Sequence, residues 1–163
     1  MSKQLRVEHT YDAPIERVAA MLADPGFREQ VYGAQRARDI RVEVTGDTTA
    51  GATVAVVYTQ PVAGVPGFAK KLVGDAIKVH QDETWTAGFA SGRIEISLPG
   101  KPGSLAGTAT LAEHGSSTVE TIELTASVSI PLVGGKAEEL ICSMFAKALR
   151  REQQVGVRWL EGA

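Results

Sequence analysis

The sequence predicts a single α+β domain in which a seven-stranded antiparallel sheet wraps around one long C-terminal helix. Apolar and polar residues alternate with a period of two in most segments before Pro131, a pattern that is typical of half-buried strands. Helical spacing takes over after Pro131 and persists almost to the end of the chain. The length of 163 residues suits one domain, which buries roughly 70% of its extended surface.

The N-terminal part predicts one strand followed by two short helices. Residues 3–11 alternate, and the face expected to point inward carries Leu5, Val7, His9 and Tyr11. Apolar residues then follow at helical spacing over 15–22, and we expect the Asp-Pro-Gly segment 24–26 to end this helix after about three turns. A second short helix is predicted from about Phe27 to Tyr32, ending at Gly33.

The segment from residue 38 to residue 75 predicts two strands and a long connection. Residues 38–44 alternate, and residues 45–47 (Thr-Gly-Asp) predict a turn. The run 52–59 is apolar on both faces, so it predicts a strand without determining its register. Residues 60–75 combine turn formers with apolar side chains, which predicts a loop that carries a short amphipathic turn.

The remaining strands are joined by short turns, which predicts an antiparallel meander. We expect these strands at about 77–85, 94–98, 105–112 and 122–130. After them, Ala137, Ile141, Met144 and Ala148 keep helical spacing, as do Val155 and Trp159. This spacing predicts one helix from about 132 to 160, roughly 40 Å long at 1.5 Å per residue.

Charge and composition exclude several classes of protein. The net charge is −2, and both signs are spread along the chain, whereas a nucleic-acid-binding surface is basic and clustered. No run of about 20 apolar residues is present, so the sequence predicts no integral membrane segment. The N-terminus lacks the apolar run of a secretory signal, and the lone Cys142 suits a reducing compartment. We therefore expect a cytoplasmic protein.

Four short motifs give the whole chain a resemblance to the SRPBCC superfamily, which includes START lipid-transfer domains, the birch-pollen allergen and polyketide cyclases. The motifs are Tyr11-Asp12-Ala13-Pro14, Asp24-Pro25, Thr84-Trp85 and the IPLVGG segment 130–135. The predicted order of strand, two helices, six strands and long helix is that of the helix-grip fold. The chain looks closest to an actinobacterial branch of the superfamily. The resemblance implies a hydrophobic ligand held between the sheet and the long helix, and only some members are catalytic.

The sequence contains none of the common catalytic or cofactor motifs. It has no G-x-S-x-G elbow, no H-E-x-x-H pair and no P-loop, so no catalytic residue and no cofactor is predicted. The three histidines lie on separate predicted strands or turns and there is one cysteine, so no metal site is predicted from spacing. We expect Cys142 to be a packed, inert thiol in the long helix.

A few polar and loop residues remain as candidates. His9 and Glu83 lie on faces predicted to point inward, where a buried carboxylate is either paired or functional. The alternative is that either strand is frayed or shifted by one residue, which exposes the side chain. Tyr58 is a similar candidate, limited by the undetermined register of its strand. Phe68 and Leu72 form either a lid over a cavity mouth or a satellite hydrophobic cluster.

These observations lead to three hypotheses for function. The first is binding or carriage of a small hydrophobic ligand, such as a lipid, polyketide or isoprenoid, in a pocket of roughly 300–1,000 Å³. The second is a cyclase or aromatase-type enzyme that uses His9, Glu83 or Tyr58. The third is a protein-interaction module with a filled interior. The predicted ligand-binding residues are His9, Val42, Tyr58, Phe68, Glu83, Trp85, Ile96, Ile122, Leu124, Ile141 and Met144.

Overall fold

The structure is a computed structural model that describes residues 2–162. It contains seven strands and four α-helices, in an order that agrees with the sequence pattern. The elements are β1 (Ser2–Tyr11), α1 (Ile15–Leu22), α2 (Pro25–Ala34), β2 (Arg38–Asp47), β3 (Gly51–Pro61), α3 (Gly67–Val73), β4 (Ala76–Trp85), β5 (Ser91–Ser97), β6 (Gly103–His114), β7 (Ser117–Val128) and α4 (Gly134–Gly162). A short 3-10 helix, Ala87–Phe89, joins β4 to β5.

The seven strands form one antiparallel sheet with the order β1-β7-β6-β5-β4-β3-β2. Strands β2 to β7 form a continuous meander, and β1 pairs with β7 over its whole length. This topology leaves β1 and β2 as the two edges. It confirms the predicted helix-grip architecture, in which an antiparallel sheet wraps around a long C-terminal helix.

The core lies between the concave face of the sheet and α4. Strand β7 shows the alternation that builds the core, because every second residue from Thr118 to Val128 is buried while all of the residues between them are partly or fully exposed. Strand β3, whose register could not be determined from the pattern, buries Val54, Val56 and Tyr58. These residues therefore point toward the interior.

Two predicted chain breaks differ in detail from the structure. The first helix does end before the segment 24–26, but after about two turns, because α1 ends at Leu22 and Asp24 is the N-cap of α2. Its Oδ1 accepts a hydrogen bond from the Gly26 N–H at 2.7 Å. The turn predicted at residues 45–47 lies three residues later, because β2 continues to Asp47, whose Oδ1 accepts from the Ala50 N–H.

The connection between β3 and β4 contains α3, as expected from its amphipathic pattern. Ala69 on α3 is buried, while Leu72 and Val73 are half-buried. The side of α3 that carries these residues therefore packs against the rest of the protein. Within residues 2–162, no helix combines the length and the apolar character needed to cross a bilayer.

Candidate functional site

An apolar cavity of about 120 Å³ lies between the first half of α4, α3 and the neighbouring ends of β3, β4 and β7. Helix α4 contributes one continuous stripe to its wall, since residues at these spacings share one helix face. The stripe consists of Ala137, Leu140, Ile141, Met144, Phe145 and Ala148. The sheet and α3 contribute mainly apolar side chains, among them Ile77, Val79, Leu98, Val128, Leu72 and Val73.

Small residues keep this space open. Ala137 and Ala148 present only a methyl group to the cavity, and Gly103 at the start of β6 presents no side chain. A Cβ atom at Gly103 would come within 3.2 Å of Ile141 Cδ1, so a larger residue would push against the helix at this end of the cavity. Small residues at these three positions therefore contribute to the open volume.

Four residues bring polar atoms to the cavity, namely Gln35, Tyr58, Gln60 and Lys101. Burial raises the pKa of Tyr58 well above its usual value, and the charge of Glu152 raises it further. Tyr58 therefore stays protonated at neutral pH and can donate a hydrogen bond but cannot act as a base. Lys101 is the one charged residue among those that line the cavity in residues 2–162.

A buried ion pair lies elsewhere in the interior. The guanidinium of Arg28, on α2, donates two hydrogen bonds to the carboxylate of Glu83, on β4, at 2.7 and 2.8 Å. Gln81 Nε2 and Trp85 Nε1 also donate to this carboxylate. Burial alone would raise the pKa of Glu83, but Arg28 and these donors outweigh it and lower the pKa. Glu83 is therefore ionised and fully engaged by protein groups.

A second polar cluster joins β1, β7 and α4. His9 Nδ1 lies 3.5 Å from Glu120 Oε1, and both side chains are almost completely buried. Burial alone would lower the pKa of His9, but Glu120 beside it and the charge of Glu152 raise it overall. Burial, together with the charge of Glu120, raises the pKa of Glu152 to about 7. The cluster therefore lies close to a group, Glu152, that changes charge near neutral pH.

Sequence similarity places the chain in a family. Residues 6–160 match the family described as "Protein of unknown function (DUF2505)". The chain belongs to this family. It is similar to the protein Rv0481c of Mycobacterium tuberculosis, with 33% identity over 98% of both chains. This mycobacterial relative agrees with the actinobacterial branch predicted from the motifs.

Solved structures show the same fold at low sequence identity. The structure of TTHA0849 from Thermus thermophilus has a TM-score of 0.64 and 17% identity, covering 94% of this chain and 96% of that one. The ZhuI aromatase/cyclase from Streptomyces sp. R1128 has a TM-score of 0.62 and 11% identity, covering 97% of this chain and 90% of that one. These likenesses confirm the helix-grip fold of this member of the DUF2505 family.

The structure brings three of the predicted ligand-binding residues to the cavity, namely Tyr58, Ile141 and Met144. His9 and Glu83 point inward as expected, but they lie in the two polar clusters and do not line the cavity. Phe68 lies on α3 beside the cavity-lining Ala69 without lining it, whereas Leu72 does line it. The others do not line it either, because they pack into the core beyond it: Val42, Trp85, Ile96, Ile122 and Leu124.

The cavity is also smaller than the predicted range of roughly 300–1,000 Å³. The reason is that the helix face of α4 fills the other half of the interior. Trp159 on this half packs edge-to-face on Phe27, with ring centroids 5.7 Å apart, and Tyr11 lies against Gly156. Among residues 2–162, no group of three or more His, Cys, Asp or Glu side chains is arranged to hold a metal ion.

Sequence reasoning missed several residues of the interior, although the signal for some of them was present. Arg28 lies three residues before Val31 and four before Tyr32, so helical spacing places it on the buried face of α2. Glu120 lies two residues before Ile122 and shares its inward face. Glu152 follows Ala148 by four residues on α4. No comparable signal identified Gln60, because the pattern stopped near the end of β3.

Proposed function

We propose that this protein binds a small apolar molecule in the cavity between the sheet and α4. The observation that carries the proposal is the cavity itself, an open space of about 120 Å³ walled mainly by aliphatic side chains from four elements. Leaving apolar side chains without packing partners is unfavourable, so an apolar molecule that fills the space gains both dispersion contacts and burial. The aromatase/cyclase ZhuI shares the fold, which is compatible with this use of the interior.

The volume indicates the size of the part that is enclosed. An engineered cavity of about 150 Å³ in another protein binds benzene, so about 120 Å³ suits one aromatic ring or a short branched chain. A longer lipid, polyketide or isoprenoid would place only one end in this cavity.

Binding without catalysis agrees best with the chemistry of the wall. Glu83 is held by Arg28, and the His9 and Glu120 pair does not line the cavity. Tyr58 does line it, but its raised pKa prevents it from acting as a base and makes it a weak general acid. A cyclase or aromatase-type reaction would need an acid or base in contact with the ligand. An interaction module with a filled interior is disfavoured by the cavity.

The test measures toluene binding by nuclear magnetic resonance of protein labelled with ¹³C at the methionine methyl groups. We expect the Met144 methyl signal to shift on titration, because Met144 lines the cavity. The Met21 signal should stay in place, because Met21 is buried on α1 outside the cavity. Ala148→Leu should weaken binding at least about tenfold by filling the space. Ala146→Leu is the matched control, since Ala146 is on the same helix but does not line the cavity.

Two outcomes would contradict the proposal. Equal loss of binding in both alanine variants, or shifts of Met21 and Met144 alike, would mean that toluene does not occupy this cavity. Mass spectrometry of a bound compound after prolonged incubation with the protein tests the alternative that the protein is an enzyme. A time-dependent chemical change in any bound compound would replace the binding role by a catalytic one.

A further inference from the structure

The side chain of Gln60 lines the cavity with an incomplete set of hydrogen bonds. Gln60 lies on β3, two residues after Tyr58 and on the same face of the strand. Its Nε2 donates to the backbone oxygen of Gln35 at 2.8 Å and to that of Pro61 at 3.4 Å. Its Oε1 is buried and has no hydrogen-bond partner among residues 2–162.

The orientation of this amide follows from its neighbours. Both nearby backbone groups are carbonyl oxygens, which accept hydrogen bonds and cannot donate them. The amide nitrogen must therefore face them, and the oxygen must point the other way. A buried acceptor without a donor is unfavourable, so this position is suited to a group that brings an N–H or O–H.

The charges at the cavity narrow the class of ligand. No Asp or Glu belongs to the cavity-lining part of residues 2–162, and Lys101 is a cation. A ligand ammonium group would lose its hydration here without gaining a counterion, and it would be repelled by Lys101. A carboxylate would present only acceptors to Gln60 Oε1. A neutral hydroxyl satisfies the acceptor without the desolvation of a charge.

We propose that the ligand is a small phenol or alcohol whose hydroxyl donates a hydrogen bond to Gln60 Oε1 while its hydrocarbon part fills the cavity. This inference rests on the proposed binding function and specifies its ligand class. Gln60 acts as the selecting residue, and the apolar stripe of α4 supplies the contacts that any apolar ligand shares. Phenol and toluene have nearly the same shape and differ at the group that faces Gln60, so they are the probes of choice.

The experiment measures the dissociation constants of phenol and toluene for the parent protein and for Gln60→Met. The ratio of the toluene constant to the phenol constant is compared between the two proteins, which cancels the different hydration of the two probes. We expect this ratio to be about 2- to 10-fold larger in the parent, as one neutral hydrogen bond produces. The toluene constant of Gln60→Met reports any change that the substitution makes in the shape of the cavity, and the ratio corrects for it.

The outcomes separate the two proposals. If toluene and phenol both fail to bind, the proposed function is wrong. If both bind with the same ratio in the parent and the variant, a water molecule or no group satisfies Gln60, and this inference is wrong while apolar binding stands. A crystal structure of the parent with phenol tests the same contact without relying on a folded variant. The phenol oxygen should lie about 2.5–3.0 Å from Gln60 Oε1, and a hydroxyl directed elsewhere would overturn the inference.

Discussion

At the scale of single residues, the interior is unusual for its charged groups rather than for its apolar ones. Arg28 and Glu83 are each more than nine-tenths buried, and they compensate each other through two short hydrogen bonds. Such pairs contribute little net stability, but removing one partner typically costs about 3–5 kcal/mol because it leaves an uncompensated buried charge. The pair therefore fixes how α2 sits against β4, which carries Glu83.

The cluster around Glu152 makes stability depend on pH. Burial, together with the charges of Glu120 and Glu83, outweighs the charges of Arg28 and His9 and raises the pKa of Glu152 to about 7 in the folded protein, against a usual value of 4.5. Between these values the unfolded chain releases a proton that the folded chain keeps, so the free energy of unfolding falls as pH rises. The raised pKa of His9 acts in the same direction, because its favourable charge is lost as pH rises through that pKa.

Replacing Glu152 by glutamine should remove the part of the pH dependence of stability that comes from the titration of this carboxyl group. We expect Glu152→Gln to be more stable than the parent at pH 8, by on the order of 2–3 kcal/mol, and nearly equal to it at pH 4.5. The measurement is urea denaturation at both pH values. Glu161→Gln, an exposed position on the same helix, is the control and should show no such difference. A variant that is less stable than the parent at pH 8 would show that the Glu152 charge is stabilising.

The burial of a single residue could be predicted from the sequence where the spacing within its own strand or helix determines it. The period of two placed His9 and Glu83 on the inward face of β1 and β4, and both are buried. It could not reveal that Glu83 is paired, because Arg28 is 55 residues away and on a different element. Partners across elements depend on the packing of helices on the sheet, and the spacing of one segment carries no information about it.

At the scale of elements, α4 determines the shape of the interior. Its first half lines the cavity, whereas its second half approaches β1 closely at Gly156. A Cβ atom at this position would lie 2.8 Å from Cε1 of Tyr11, whose ring is completely buried. The absence of a side chain at Gly156 lets the helix lie directly on the ring of Tyr11.

This contact predicts an unusual response to a glycine substitution within a helix. Alanine normally stabilises a helix by up to about 1 kcal/mol relative to glycine, but overpacking costs about 1–3 kcal/mol. We expect Gly156→Ala to lower the free energy of unfolding by about 1–2 kcal/mol in chemical denaturation. Gly135→Ala on the same helix is the control, because a Cβ atom there would have no neighbour within 4 Å and stability should hold or rise. Stabilisation by Gly156→Ala would mean that the helix is not seated on Tyr11.

Most elements could be predicted because each has one clear periodicity. The long run of helical spacing predicted α4 over most of Gly134–Gly162, and the alternating segments predicted the strands. The boundary between α1 and α2 was predicted less closely, because its residues suit two roles. Asp24 and Pro25 are typical of a break after one helix and equally of the start of the next, and here they start α2.

At the scale of the whole molecule, the space between sheet and helix is divided into two regions. Toward the N-terminal half of α4 it is open and apolar, and toward the C-terminal half it is closed by aromatic packing and by the cluster around Glu152. The predicted fold implied a single larger pocket. The sequence pattern indicates which faces are apolar, but it does not indicate how completely their side chains fill the space between the sheet and the helix. The size of a cavity depends on the fit of side chains from different elements, which no single segment encodes.

The most direct test of the binding site is a crystal of the protein soaked in iodobenzene, with the iodine located by its anomalous scattering. The ring fits the volume indicated by the cavity, and iodine identifies the site without assumptions about the density. We predict one dominant iodine position between Leu98, Met144 and Phe145. Iodine found only on the outer surface, for example in the shallow groove beside Gln30 and Trp159, would contradict the proposal that this cavity receives the ligand.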